Sequence, residues 1–498
     1  MSELVAGLPA PPPPQAPHLA AAVVLWRPGP SGRELFWVRR GALRFAGGFQ
    51  AFPGGRLDPS DGELPLPAHP GQAGALLVCA ARELFEETGV LLARGPPLGR
   101  EERAAARRAL LDGSLTFKAF LAARGLALDP DLLAPAGRWV TPPWFPIRYD
   151  AHVFLARAPD GEEALVWPGE LESGEWILAR TALERWERGE VLLHPPNLWG
   201  VACLARAEPP ACLELMRSPP ATRDFVTRRV EFQRGLFLVA LRTPTLPPAT
   251  HTNAWIAELG SGGLAVLDPG SPDSDEQARL EEVLADLEAE GRTLEEVWLT
   301  HEHRDHVGGV AALRRSHEVV LRAHRETALR LPAGLGPVAP LEDGALLDGR
   351  YRALHTPGHA RGHLAFLDER TGALLAGDMV STLSTIVIDP PEGDMSAYLD
   401  SLRRLCEKGP RSLFPAHGPP TQGAVAKLEG YLAHRREREA KVLEALATPG
   451  DLSLVTQRAY DEVPPEFLKV ASRSCLASLE KLEREGRARL EGTLWRAL

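Results

Sequence analysis

The chain has 498 residues, 44% of them hydrophobic and 24% charged, with a net charge of −10. At roughly 100–200 residues per domain, this length predicts about three globular domains with real cores. The negative balance argues against bulk attraction to nucleic acid, and no stretch reaches the roughly 18 consecutive apolar residues of a membrane span. Five scattered cysteines, Cys79, Cys203, Cys212, Cys406 and Cys475, form no Cys-x-x-Cys pair. They argue against a disulfide framework or a cysteine zinc site and fit a reducing cytosol. The start has no basic segment ahead of its apolar run, so a secretory signal is not expected and the protein is read as cytoplasmic.

Residues 1–18 are Pro-rich and read as a disordered tail. An apolar run from Leu19, a turn at Pro28-Gly29-Pro30 and a second run from Glu34 to Arg40 predict a strand hairpin. A Gly-rich passage over 47–55 leads into 56–74, rich in Pro, Gly and Asp, which reads as an insertion. Helical periodicity follows over 73–92 and stops at Gly89. A charged helix over 100–124, strands over 151–158 and 174–179, and a helix over 181–190 complete a first domain, 19–206. Residues 207–224 mix Pro, Ser and charge and read as a linker. Strand-like runs and helices then alternate, which predicts an α/β layered domain over 225–422. Residues 423–447 read as a long charged helix, and 451–498 as small helices ending in a short hairpin, so 423–498 forms the last domain. There is no internal repeat.

The strongest chemical signal is His301-Glu302-His303-Arg304-Asp305-His306, directly after an apolar run. Burying several unpaired imidazoles and a carboxylate in an apolar core is costly, whereas imidazole and carboxylate are the ligands of catalytic zinc sites. Three more pieces follow in order, His359, Asp378 and His417. Each comes after a strand-like run and beside a glycine, where backbone approaches closely. Upstream, Asp268 ends another apolar run. His251, His317, His324 and His355 are not read as ligands. The second signal is Arg82-Glu83-Leu84-Phe85-Glu86-Glu87-Thr88-Gly89. On a helix, Glu83, Glu86 and Glu87 share one face, and a set of oxygen ligands suits Mg²⁺ or Mn²⁺.

The histidine pattern resembles the metallo-β-lactamase superfamily over roughly residues 225–420. The resemblance implies an αββα sandwich and two zinc ions. His301, His303 and His359 would bind one, and Asp305, His306 and His417 the other. Asp378 would bridge them, and Asp268 would hold the motif loop from behind. The pair would lower the pKa of a shared water and hydrolyse an ester, thioester or phosphodiester, with Asp305 in the catalytic set. His363 is read as supporting a ligand or facing substrate, with a surface role as the alternative. THEHRDHVGGV, TPGHARGHLAF, LFPAHGP and the tail after Pro465 further resemble the β-lactamase-like protein 2 group. That resemblance implies a C-terminal winged helix and, in some members, endoribonuclease activity. Residues 440–498 balance nine Lys and Arg against nine Asp and Glu, so a cap or lid over substrate is favoured over nucleic-acid reading.

Phe52-Pro53-Gly54-Gly55 and the Arg82–Val90 helix resemble the Nudix hydrolases over residues 19–206. This implies an α/β/α sandwich hydrolysing a diphosphate linked to another moiety. Glu86 and Glu87 would be the principal Mg²⁺ or Mn²⁺ ligands and Glu83 would assist. Arg82 would orient a carboxylate, and Gly55 would let backbone approach the metal. Gly55 and Arg82 stand 27 positions apart, farther than in the family's box, and the box's middle Glu has no aligned counterpart except Glu63. LVCAARELFEETGVLL, RWVTPPWFPIRYDAHVF and LRFAGGFQAFPGG resemble a coenzyme A diphosphatase-like branch. The fold class is therefore α/β and α+β multidomain. The expected function is a bifunctional metal-dependent hydrolase acting on a small phosphorylated or acyl substrate such as acyl-coenzyme A, with no membrane partner. The rivals are an RNA-processing endoribonuclease and a non-catalytic nucleotide sensor in the Nudix half.

Overall fold

The computed structural model describes residue 8 and residues 13–41, 47–167, 171–220 and 222–498. The expected tail at 1–18 lies mostly outside these residues, as does the start of the LRFAGGFQAFPGG passage. The described chain divides into two compact units, Pro14–Arg234 and Gly235–Leu498.

The first unit is built on one mixed sheet. The His18–Gly29 strand runs antiparallel to Gly32–Arg40, with Leu25 opposite Phe36, and parallel to Tyr149–Arg157. Ala134–Val140 continues the sheet beyond Tyr149–Arg157, and Leu171–Leu178 pairs with Gly32–Arg40. Side chains alternate across a strand, and both faces here are apolar. Val23, Leu25, Phe36 and Val38 meet the Gln72–Thr88 helix through Leu77, Leu84 and Phe85. Val24, Leu35 and Trp37 instead meet the helices Ala179–Glu187 and Pro195–Arg206 through Ala182, Trp186, Val201 and Leu204. Two covered faces make an α/β/α sandwich, and each fully buried Leu or Phe contributes roughly 1.5–3 kcal/mol. The Gln72–Thr88 helix ends where Gly89 takes a left-handed φ of 78° and donates its N–H to Phe85 O. Buried Arg107 then donates to the carbonyls of Glu86 and Glu87 at that end, a cation at the negative pole of the helix.

The stretch expected to be a linker is instead structured. Residues 207–224 contain the Pro209–Arg217 helix, which buries Cys212 and Met216. The strand Thr222–Arg223 pairs with Val226–Thr227 at the sheet's edge. Pro at the first helical turn is favourable rather than disruptive, because those N–H groups have no intrahelical partner. The predicted charged helix over 100–124 is two helices, Arg100–Leu111 and Phe117–Ala123, split at Gly113.

The second unit stacks two sheets. In one, His251–Glu258 lies between Leu236–Arg242 and Leu264–Leu267, and the strands Leu294–Trp298, Val320–Ala323 and Val338–Pro340 follow in parallel. In the other, Tyr351–His355, Leu364–Asp368, Ala373–Ser381 and Ser412–His417 are consecutive. Every position of Ala373–Ser381 is buried, as a strand covered on both faces requires. Between the sheets Trp298 stacks on Phe366 at 5.1 Å and Trp255 meets Phe414 edge-on at 5.1 Å. The Ser274–Ala289 helix covers the outer face of the first sheet, and Met395–Glu407 and Ala424–Ala445 that of the second, giving the αββα order. The helices Leu452–Ala459 and Leu468–Arg484 and the hairpin Ala488–Glu491/Leu494–Ala497 close the chain around Val455, Leu479 and Trp495. This small domain is fastened to the sandwich, since Ala477 lies in the sandwich core and Ile388 N–H donates to Ser474 Oγ at 3.1 Å.

Candidate functional site

The Leu294–Trp298 strand delivers the histidine motif to the sandwich edge, where the chain turns into the short Arg304–Val307 helix. His301 Nε2 lies 2.9 Å from His303 Nδ1, and His359 Nε2 lies 3.1 Å from the same atom. Opposite, His417 Nε2 is 3.7 Å from Asp305 Oδ2, and His306 Nε2 is 4.0 Å from it. Asp378 stands between the groups. Its Oδ1 is 3.3 Å from His417 Nε2 and 3.7 Å from His306 Nε2, while its Oδ2 is 3.4 Å from His359 Nε2. The triads His301/His303/His359 and Asp305/His306/His417 each gather their ligand atoms within 4.8 Å of one another.

The inward nitrogens are aimed because the outward ones are tied. His359 Nδ1 bonds Val387 O at 2.9 Å, His417 Nδ1 bonds His251 O at 3.0 Å and His301 Nδ1 bonds Thr300 Oγ1 at 2.9 Å. Asp268, at the left-handed φ of 52° just past its strand, accepts from Thr300 N–H and Thr300 Oγ1–H, and its Oδ2 lies 2.9 Å from His306 Nδ1. One buried carboxylate thus sets both the motif loop and the His306 ring. His363 is fully buried, bonded to Thr356 Oγ1 through Nδ1, and accepts the Asp378 backbone N–H at Nε2. Both its nitrogens are committed, so the surface and substrate-facing alternatives give way to a role in positioning Asp378. Gly377 beside it has φ 50°, and a Cβ there would lie 2.6 Å from His363 Nε2. His251, His317, His324 and His355 lie outside the triads.

The donor set fits divalent metal. Asp305 Oδ2, His306 Nε2 and Asp378 Oδ1 are buried with no hydrogen-bond partner, an arrangement that is costly unless an ion completes it. Burial drives the His301 and His303 imidazoles well below their ordinary pKa, leaving them neutral as ligation requires. Burial would raise the Asp378 carboxyl, but His417 and His306 outweigh it and hold that group well below the usual range.

In the other unit, Arg82 is the hub. Its guanidinium grips Asp61 at 2.7 and 2.9 Å and also donates to Glu83 at 2.8 Å and Glu86 at 3.1 Å. Glu87 Oε2 accepts the Gly54 N–H at 2.9 Å. A Cβ at Gly55 would fall 2.4 Å from the Glu83 carboxylate, so a larger residue would displace that carboxylate. Three carboxylates around one guanidinium leave net negative charge and oxygen donors only, which suits Mg²⁺ or Mn²⁺. Even so, among the described residues the convergent triads all lie in the Gly235–Leu498 unit. Sequence reasoning missed Asp61. Glu63 is exposed, whereas Asp61 is 1% exposed and holds Arg82. The signal was the spacing, six positions beyond Gly55, with Asp standing where Glu was sought. Removing one partner of a buried ion pair strands the other, so Asp61→Ala is expected to lower the stability of this unit by about 3–5 kcal/mol. Urea unfolding followed by tryptophan fluorescence checks this.

Comparison with known proteins matches these units to families. The NUDIX domain model matches residues 16–193, the metallo-beta-lactamase superfamily model 247–417 and the beta-lactamase associated winged helix domain model 453–495. The chain is 29% identical over 264 residues to a beta-lactamase-like protein 2 homolog of Drosophila melanogaster, covering 50% of this chain and 87% of that protein. It is 30% identical over 229 residues to an atrochrysone carboxyl ACP thioesterase of Passalora fulva, covering 45% of this chain and 66% of that protein. It is 32% identical over 203 residues to a lactamase-like protein of Trichophyton verrucosum, covering 37% of this chain and 68% of that protein. The chain is a hydrolase that belongs to the metallo-β-lactamase superfamily, carries that superfamily's associated winged helix and joins both to a NUDIX domain.

Proposed function

We propose that the protein is a two-headed metal-dependent hydrolase whose lactamase-fold half cleaves an acyl ester or thioester. The observation that carries this reading is the buried, unpartnered ligand atoms Asp305 Oδ2, His306 Nε2 and Asp378 Oδ1, with Asp378 facing both histidine groups. His301, His303 and His359 would hold one zinc ion, Asp305, His306 and His417 a second, with Asp378 between them. When bound, such a pair supplies Lewis acidity and a hydroxide nucleophile at neutral pH. The chain's own residues aim the ligand atoms through Asp268, Thr300 and His363, and they shape what enters. A cavity of about 220 Å³ opens beside His359, Asp378 and His417, with an apolar wall that includes Leu246, Ile386, Val463 and Phe467. That wall suits an acyl chain, and the similarity to the Passalora fulva carboxyl ACP thioesterase supports the thioester class. The balanced charge of the C-terminal domain favours this over RNA cleavage.

In the NUDIX half, Glu86, Glu87 and Glu83 would hold Mg²⁺ or Mn²⁺, with Arg82 fixing Glu83 and Glu86, for cleavage of a diphosphate linked to another moiety. Acyl-coenzyme A joins a thioester to a diphosphate, so one molecule serves both heads. The experiment is incubation of the full chain with acyl-coenzyme A, Zn²⁺ and Mg²⁺, with products followed by mass. The expected products are free acid and an adenosine 3′,5′-bisphosphate fragment, and the absence of both overturns the reading. Chelation provides a further check. Metal removal is expected to abolish ester hydrolysis and to lower the melting temperature of the Gly235–Leu498 unit, because it leaves the buried ligand atoms uncompensated. Calorimetry of treated and reloaded protein measures the shift. A sensor role for the NUDIX half keeps one supporting observation, the Arg82 ion pairs that occupy Glu83 and Glu86.

A further inference from the structure

The cavity beside the metal ligands has a second functional wall. The Ala424–Ala445 helix presents His434, Arg435 and Arg438 to it. Arg438 is already committed, to Ala459 O and the Glu462 carboxylate. Arg435 is not. It is 5% exposed, its Nη2 donates to Ile386 O, its guanidinium lies 5.2 Å from the Tyr398 ring, and its Nε has no hydrogen-bond partner. No carboxylate pairs with it among the described residues. Beside it, His434 Nδ1 is also buried and unpartnered. Among the described residues Asp378 is the one carboxylate that lines this cavity, and its oxygens face the histidine groups.

A buried cation without a counterion is unfavourable unless something in the working complex supplies the opposite charge. Backbone carbonyls also tie the two machineries together. Ile386 O takes Arg435, and the next carbonyl, Val387 O, takes His359 Nδ1. A charge bound at Arg435 is therefore registered against the hydrolytic centre through adjacent residues.

We propose that Arg435, assisted by His434, forms an anion subsite in this cavity, so that the substrate cleaved there carries a carboxylate or phosphate group as well as an apolar portion. This rests on the ester or thioester reading above. A planar guanidinium offers paired donors to either anion. The anion can sit on the acyl side of the scissile bond, as in a dicarboxylic half-thioester, or on the thiol side, as in coenzyme A.

The test uses the full chain loaded with Zn²⁺ and three thioesters: butyryl-N-acetylcysteamine, glutaryl-N-acetylcysteamine and butyryl-coenzyme A. Wild type is expected to prefer at least one anionic thioester over the neutral one by about tenfold or more in kcat/KM, carried mainly by KM. Arg435→Gln is expected to collapse that preference, and Arg435→Lys to keep part of it. Preference for the glutaryl compound places the anion on the acyl side, and preference for the coenzyme A compound places it on the thiol side. Equal use of all three by wild type, or a preference that survives in Arg435→Gln, overturns the subsite. If wild type cleaves none of them, the thioester reading fails and the subsite is decided by calorimetric titration with glutarate and with inorganic phosphate. Binding weakened about tenfold in Arg435→Gln supports the subsite, and unchanged or absent binding overturns it. If Arg435→Gln does not fold, the wild-type comparison and Arg435→Lys decide alone.

Discussion

Asp378→Ala is expected to lower ester or thioester hydrolysis at least about a thousandfold while leaving the chain folded. The argument is geometric. Asp378 is the residue whose two oxygens face opposite groups, Oδ1 toward His306 and His417 and Oδ2 toward His359. Removing it leaves each triad able to gather a cation but takes away the carboxylate that would lie between them, so the effect falls on kcat rather than on metal stoichiometry or fold. The side chain makes no hydrogen bond that closes a strand, and its backbone N–H to His363 is retained. Far-ultraviolet circular dichroism, metal analysis and kinetics on one preparation separate these outcomes. Unchanged kcat with Asp378→Ala would exclude the bridging role.

Glu86→Gln is expected to abolish divalent-cation dependence and turnover in the NUDIX half, by at least about a hundredfold, while diphosphate binding persists. Burial pushes the Glu86 carboxyl up to about 7, with Arg82 only partly opposing it. The direction of the pH effect follows. Below about 7 the carboxyl holds its proton and is a poor cation ligand, so Mg²⁺ or Mn²⁺ affinity rises as pH climbs through about 7. The stability contribution has the opposite sign. The folded state holds this proton more tightly than the unfolded chain, so the contribution is fully present below the ordinary value of 4.5 and is lost as pH rises through about 7. Titrating Mn²⁺ by electron paramagnetic resonance at a series of pH values reads the affinity. A wild type that binds a diphosphate compound but never cleaves one establishes the sensor reading instead.

The sequence made the lactamase-fold half legible because its chemistry is local. His301, His303, Asp305 and His306 stand within six consecutive positions, and an apolar core does not tolerate that set unpaired. The later pieces were found because each accompanies an apolar run that the fold turns into a strand of the second sheet: Tyr351–His355 shortly before His359, Ala373–Ser381 around Asp378, and Ser412–His417 ending on His417. What the sequence hid is tertiary. Nothing local distinguishes Arg435 from its neighbours on a charged helix, and its burial becomes apparent only when that helix packs on Tyr398 and Ile386. Asp61 was hidden by a long insertion that moves it far from Arg82 in sequence while the fold brings the two within 2.7 Å. The 207–224 stretch misled because prolines that signal a break between elements also start helices, as at Pro209–Arg217.

The central claim is that two cations sit on either side of Asp378. Anomalous diffraction at the zinc edge from crystals of the full chain grown with Zn²⁺ tests it directly. The account predicts two peaks, one among His301, His303 and His359 and one among Asp305, His306 and His417, with Asp378 between them. A single peak, or peaks held by other residues, would contradict it.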